Sequence, residues 1–133
     1  MEWNRVIPTF TNFNKTSSTF FTLWEDPQDD YIEFDRKYKQ LIKKYAESKG
    51  VLPQFDLPPN VFNVSSIPWT HFEHFSSNSK ISENQLTTML TMAKYEQYSS
   101  KLLMPITVQA HHGIVDGYHI SMFIDRLQDE MNK

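Results

Sequence analysis

The chain has 133 residues, a formal net charge of -3 and no cysteine. That length sustains one domain around one core, spanning residues 1–133. A pI near 5.9 gives no electrostatic footprint for nucleic acid or an anionic membrane. The missing cysteines exclude disulfides, thiolate metal sites and a cysteine nucleophile. No apolar segment follows Met1-Glu2-Trp3-Asn4-Arg5 and no run reaches membrane-spanning length, so a soluble cytoplasmic protein is expected.

Residues 5–13 mix β-branched and aromatic types with polar ones and read as a strand despite Pro8. The first helix is expected to begin at Asp26-Pro27, with Asp26 as N-cap and Pro27 at the first helical position. Its apolar stripe runs Phe34, Tyr38, Leu41, Ile42 and Tyr45, Lys43 and Lys44 favour its end, and Gly50 stops it. A proline-rich connection holds Pro53, Pro58 and Pro59. Residues 61–66 then read as a short strand ended by Pro68, and residues 70–75 as another. Residues 76–84 are polar and turn-rich. Residues 86–95 and 102–110 are two long strand candidates joined as a hairpin. A last helix starts near Asp116 or Gly117, with Ile120, Phe123, Ile124, Leu127 and Met131 on one face. The order implies an α/β two-layer sandwich, its mixed, mostly antiparallel sheet packed by helices.

The chemistry concentrates in His111-His112-Gly113-Ile114-Val115-Asp116-Gly117. An imidazole at a strand end, with a carboxylate nearby, suits proton transfer near neutral pH. The plainer alternative is that Asp116 caps the helix and the histidines are satisfied residues of a strand end. A metal site is disfavoured. His71 and His74 are three apart in a candidate strand, and His111 and His112 are adjacent, so each pair faces apart. Three glycines form no phosphate cradle. Acyl transfer fits better, with His112 as base and a strand hydroxyl stabilising the oxyanion. Spacing does not choose among Ser65, Ser66 and Thr91.

From about Trp3 to the last helix, the chain resembles the C-terminal part of a chloramphenicol acetyltransferase. The matching text is Thr19-Phe20 with Leu23-Trp24, and Val64-Ser65 followed by Ile67-Pro68-Trp69. It continues with Thr91-Met92-Ala93-Lys94-Tyr95, then Leu103-Met104-Pro105-Ile106, and His111 through His119. The paired-histidine element alone is shared with dihydrolipoyl acyltransferases and peptide-synthetase condensation domains; the Ile-Pro-Trp and Met-Ala-Lys-Tyr blocks are more specific.

The resemblance implies that acetyl passes from acetyl-CoA to the 3-hydroxyl of chloramphenicol, giving antibiotic resistance, with no metal. It implies His112 as general base, Ser65 as oxyanion donor, Thr91 assisting through a bound water, and Asp116 as organiser of the loop. Lys94, Tyr95 and Trp69 fall at coenzyme A positions, and Phe20 and Phe75 at the acceptor pocket. His111 is scaffolding. A homotrimer is implied, with the active site between subunits and the histidine facing a pocket on its neighbour.

The chain departs from the pattern in several places. Gly113 and Val115 stand where many relatives have alanine and cysteine, Leu52 where they have phenylalanine, and Ser77 where they have leucine. These changes bear on acceptor specificity. The family is about half as long again, so the chain reads as N-terminally incomplete. It would then lack the arginine that pairs with Asp116 and would expose an apolar face or sheet edge. Two alternatives remain: a same-mechanism acyltransferase for another hydroxylated acceptor, or a truncated non-catalytic remnant or assembly partner.

Overall fold

Alternating β-branched, aromatic and polar residues place Ile7–Asn14 in β1 and Thr19–Trp24 in β2. The computed structural model describes residues 2–72 and 86–133. The two strands form an antiparallel hairpin, Phe13 opposite Phe20 and Phe10 opposite Leu23. Asn14 makes the turn: its side-chain oxygen accepts the backbone N–H groups of Thr16 (2.9 Å) and Ser17 (3.2 Å), and Ser18 takes a positive φ of 54°. Strand β2 is absent from the sequence reading, which runs from a first strand directly to a helix.

Helix α1 (Tyr31–Tyr45) starts later than expected. Its N-cap is Asp30, which accepts the Glu33 backbone N–H at 3.0 Å. The segment from Asp26 cannot be helical because Gln28 and Asp29 adopt φ of 48° and 63°. Asp26 instead accepts the Gln28 N–H at 3.1 Å and pairs with Arg5 at 3.3 Å. The helix ends at Tyr45, before Gly50. Its stripe packs Phe34 and Tyr38 on Phe10, at ring-centroid distances of 5.8 and 4.7 Å. The Asn12 amide donates to the Tyr38 hydroxyl at 2.8 Å, and burial pushes that phenol's pKa up.

Beyond the proline-rich connection come β3 (Val61–Ile67), β4 (Met89–Ala93) and β7 (Ile106–Gln109). The described residues form a five-stranded mixed sheet in the order β2-β1-β3-β4-β7. Its central pairings, β1 with β3 and β3 with β4, are parallel; its outer ones are antiparallel. The expected hairpin of residues 86–95 with 102–110 exists in two pieces. After β4 and before β7 the chain leaves the main sheet as a separate ribbon, β5 (Glu96–Tyr98) against β6 (Lys101–Leu103). Pro105, and Lys94 and Tyr95 outside any strand, mark the break. Thr70, His71 and Phe72 lie in no strand; the remainder of that expected strand is outside the described residues.

Helix α2 (Gly117–Met131) begins where the sequence places it, with Asp116 as N-cap. Its stripe residues Ile120, Phe123, Ile124 and Leu127 line two grooves of about 770 and 1060 Å³, together with Phe62, Leu90, Ile106 and Val108 of the sheet. Those sheet residues share the face that carries Phe10 under α1, since paired residues and residues two apart point the same way. Both helices therefore cover one face. The innermost core is small: Leu23 is fully buried, and Phe21 and Ala93 nearly so. Among the described residues, no helix is long and apolar enough to cross a membrane.

Candidate functional site

The opposite face, bare of helices among the described residues, carries the strand hydroxyls. In the parallel β3–β4 register Ser65 stands beside Thr91, and in the antiparallel β4–β7 register Thr91 stands beside Thr107. Three neighbouring strands thus present a hydroxyl in one row. Ser66 alternates to the helix-covered face, so register separates the two serines that spacing left equivalent. Ser65 is half-buried and Thr91 is 3% exposed, sunk enough that its hydroxyl demands a partner. Thr107 was missed in the sequence, where no local pattern ties it to Thr91. Two residues along, level with β7's end, the Thr9 hydroxyl donates to the Asn63 side-chain oxygen at 2.6 Å on this same face.

Aromatic rings wall one end of the row. Phe20 lies 5.3 Å from Phe13, and Phe13 lies 5.5 Å, edge-on, from Trp69. Phe13 thereby joins a residue expected at the acceptor pocket to one expected at coenzyme A. Alternation along β1 was its available signal. The Lys94 backbone N–H donates to the Thr70 carbonyl at 3.1 Å, tying the segment after Trp69 to the end of β4. Lys94 and Tyr95 are exposed there, and Trp69 is also solvent-accessible. The ends of β1, β3 and β4 and the start of β2 thus gather Phe13, Phe20, Trp69, Lys94 and Tyr95 at one edge of the sheet. Phe75 lies outside the described residues.

His112 is at the other edge. Strand β7 runs against β4, so Gln109 at its end pairs with Met89 at the beginning of β4, and His112 comes three residues later. Among the described residues no hydrogen bond or ring contact links His112 to Ser65 or Thr91. One copy of the chain separates the imidazole from the hydroxyl row.

The loop that carries the imidazole is ordered by its own backbone. The His111 carbonyl accepts the N–H groups of Ile114 (3.1 Å) and Val115 (3.2 Å). His112 Nδ1 faces the Val115 carbonyl at a long 3.4 Å. A carbonyl only accepts, so this contact puts the proton on Nδ1 and leaves the exposed ring's Nε2 lone pair free to act as a base. Asp116, left without its arginine in the sequence, finds partners at the start of α2. It is exposed, its Oδ1 accepts the His119 backbone N–H at 3.1 Å, and the His119 ring Nδ1 approaches the same oxygen at 2.8 Å. The backbone donor holds Asp116 below the usual carboxylate range, with the His119 ring adding to it. The cap and the pair with His119 meet needs that burial would have made severe. Among the described residues no three His, Asp or Glu side chains gather as a metal-holding group.

The chloramphenicol acetyltransferase family model matches residues 1–128. The chain is 37% identical to a chloramphenicol acetyltransferase of Campylobacter coli over 131 residues, covering 98% of this chain and 63% of that protein. It is 35% identical to chloramphenicol acetyltransferase 3 of Escherichia coli, covering 98% of this chain and 61% of that protein. The chain thus spans about three fifths of the length of these relatives. A solved chloramphenicol acetyltransferase superposes with a TM-score of 0.76 at 19% identity, over 96% of this chain and 62% of the other. A dihydrolipoamide acetyltransferase of Azotobacter vinelandii superposes with a TM-score of 0.68 at 16% identity, over 97% of this chain and 54% of the other. Both structural likenesses concern the fold.

Proposed function

Since the chain belongs to the chloramphenicol acetyltransferase family, we propose that it supplies the catalytic elements of an acetyl-CoA-dependent O-acetyltransferase. The acceptor is chloramphenicol, acetylated at its 3-hydroxyl in the cytoplasm, with antibiotic resistance as the result. His112 Nε2 takes the hydroxyl proton as the oxygen attacks the thioester carbon. The thioester carbonyl becomes an oxyanion, which accepts a hydrogen bond from Ser65, and Thr91 holds a water against the same tetrahedral intermediate. Collapse expels coenzyme A as thiol, the proton returning from His112. Trp69, Lys94 and Tyr95 contact coenzyme A; Phe20 and Phe75 flank the acceptor; Asp116 keeps the loop on the helix. No metal takes part.

The observation that carries this reading is the register placing Ser65 beside Thr91 on the face opposite α1 and α2, with the Phe20–Phe13–Trp69 wall at its end. The distance of His112 from that row favours a site assembled between copies. His112 of one subunit of a homotrimer would meet the hydroxyl row of the next. The test is coenzyme A release with acetyl-CoA and chloramphenicol, for the wild-type chain and for His112→Ala. A wild-type rate with His112→Ala down by roughly 10²- to 10⁴-fold supports the reading. Equal rates for the two refute it. Release with other alcohols and not with chloramphenicol would point to the same mechanism on another acceptor.

A further inference from the structure

The mechanism above uses the second histidine of the pair and leaves the first without a task. The geometry points to one. We propose that His111 is a positioning residue: its ring Nδ1 and its carbonyl together fix the loop that presents the His112 imidazole. The inference rests on reading His112 as the base.

Three backbone N–H groups of the loop end on His111. Its carbonyl accepts from Ile114 and Val115, which saturates the two lone pairs, and its ring Nδ1 accepts from Gly113 at 3.0 Å. A ring nitrogen that accepts an N–H carries no proton, so neutral His111 holds its proton on Nε2. His112 holds its proton on Nδ1, against the Val115 carbonyl. Two adjacent imidazoles are thus set in opposite tautomers by one loop. Val115, whose carbonyl selects the His112 tautomer, is itself held by the His111 carbonyl.

Gly113 supplies an independent observation. It has no positive φ, so backbone conformation does not require glycine there. Space favours it: a Cβ at this position would lie 3.0 Å from both Cε1 and Nδ1 of the His111 ring. The missing side chain is what lets the ring fold back onto the Gly113 N–H. Because His111 is exposed, an added methyl would make the ring give by a few tenths of an ångström rather than break the fold, weakening the ring bond.

The test uses ¹⁵N-labelled protein, reading the protonation of each ring nitrogen and the exchange rate of the Gly113 amide by NMR. Wild type should show bare Nδ1 on His111 and bare Nε2 on His112. His111→Asn places an amide oxygen where Nδ1 was and should retain both the slow Gly113 exchange and the His112 tautomer. In His111→Gln the acceptor is one carbon too far out, and in Gly113→Ala the ring is crowded away from the Gly113 N–H. Both variants should speed Gly113 exchange about tenfold, the effect of one hydrogen bond, and mix the His112 tautomers. In the acetyl-transfer assay both should lose kcat with KM unchanged. The proposal is overturned if Gly113 exchange and the His112 tautomer in His111→Gln match wild type, or if Asn fares no better than Gln. If wild type transfers no acetyl, the proposed function fails, and the NMR comparison still decides what His111 does to its loop.

Discussion

Mixing two inactive variants tests whether the hydroxyl row and the imidazole belong to different subunits. His112→Ala lacks the base and Ser65→Ala lacks the oxyanion donor. Each alone should fall by roughly 10²-fold or more. The structure sets the expectation for the mixture. The two residues are set apart along one sheet, His112 beyond Gln109 at one edge and Ser65 in the mid-strand row of Thr91 and Thr107. The two strand steps from Thr107 to Gln109 alone span about 7 Å, roughly twice hydrogen-bond reach, before the turn adds more. On the proposed reading, a single copy would not close the site. If the chain assembles as the proposed trimer, then after refolding from an equal mixture a site works when the histidine side comes from a Ser65→Ala chain and the hydroxyl side from a His112→Ala chain. Random assembly makes that about one site in four, so coenzyme A release should recover to about a quarter of the wild-type rate. Recovery requires co-refolding; mixing preassembled variants should restore nothing until subunits exchange. If the co-refolded mixture stays at the level of the separate variants while wild type is active, the between-subunit site is refuted.

Three further outcomes follow from local geometry. Thr91→Val keeps the volume of a nearly buried residue and removes its hydroxyl; kcat/KM should fall roughly 3- to 10-fold, as for one neutral hydrogen bond, and an unchanged value would remove Thr91 from the chemistry. Leu23→Ala empties the most buried side-chain position and should cost about 2–5 kcal/mol in urea unfolding, with a loss under about 1 kcal/mol contradicting the core assignment. Asp116 binds its proton less readily folded than unfolded. Its contribution is therefore complete above the unfolded-state pKa of about 3.9 and fades as pH falls through the lower folded value. Amide protection at His119 should drop over that acid range, Asp116→Asn should retain the cap without the acid dependence, and a pH-independent His119 amide in wild type would be inconsistent with the pairing.

How much was legible in advance varied with the range of the forces involved. The α2 start at Asp116 could be read because a cap is a matter of four adjacent residues. The α1 start could not, although Asp30 three residues before Glu33 was an available signal; Asp26-Pro27 offered the same chemistry, and the turn through Gln28 and Asp29 decided between them. Strand β2 escaped because its residues, Thr19-Phe20-Phe21-Thr22-Leu23-Trp24, interrupt polar–apolar alternation with apolar neighbours, and its partner in β1 is what makes it a strand. The sequence did not name His119 as a partner of Asp116, although it stands three residues on in the first turn of α2.

The sequence by itself determined the family, the paired-histidine loop, the strand and helix types of most segments, and the candidate residues one by one. These depend on side-chain identity and on neighbours within a few positions. Only the tertiary structure decided which candidates meet. Parallel pairing chose Ser65 over Ser66, brought Thr107 into the row, joined Phe20 to Trp69 through Phe13, and set His112 at the far edge. The physical reason is that strand register is fixed by hydrogen bonds between segments far apart in the chain. A shift of one residue would turn every side chain to the other face, and nothing local to Ser65 or Thr91 records which partner it will have.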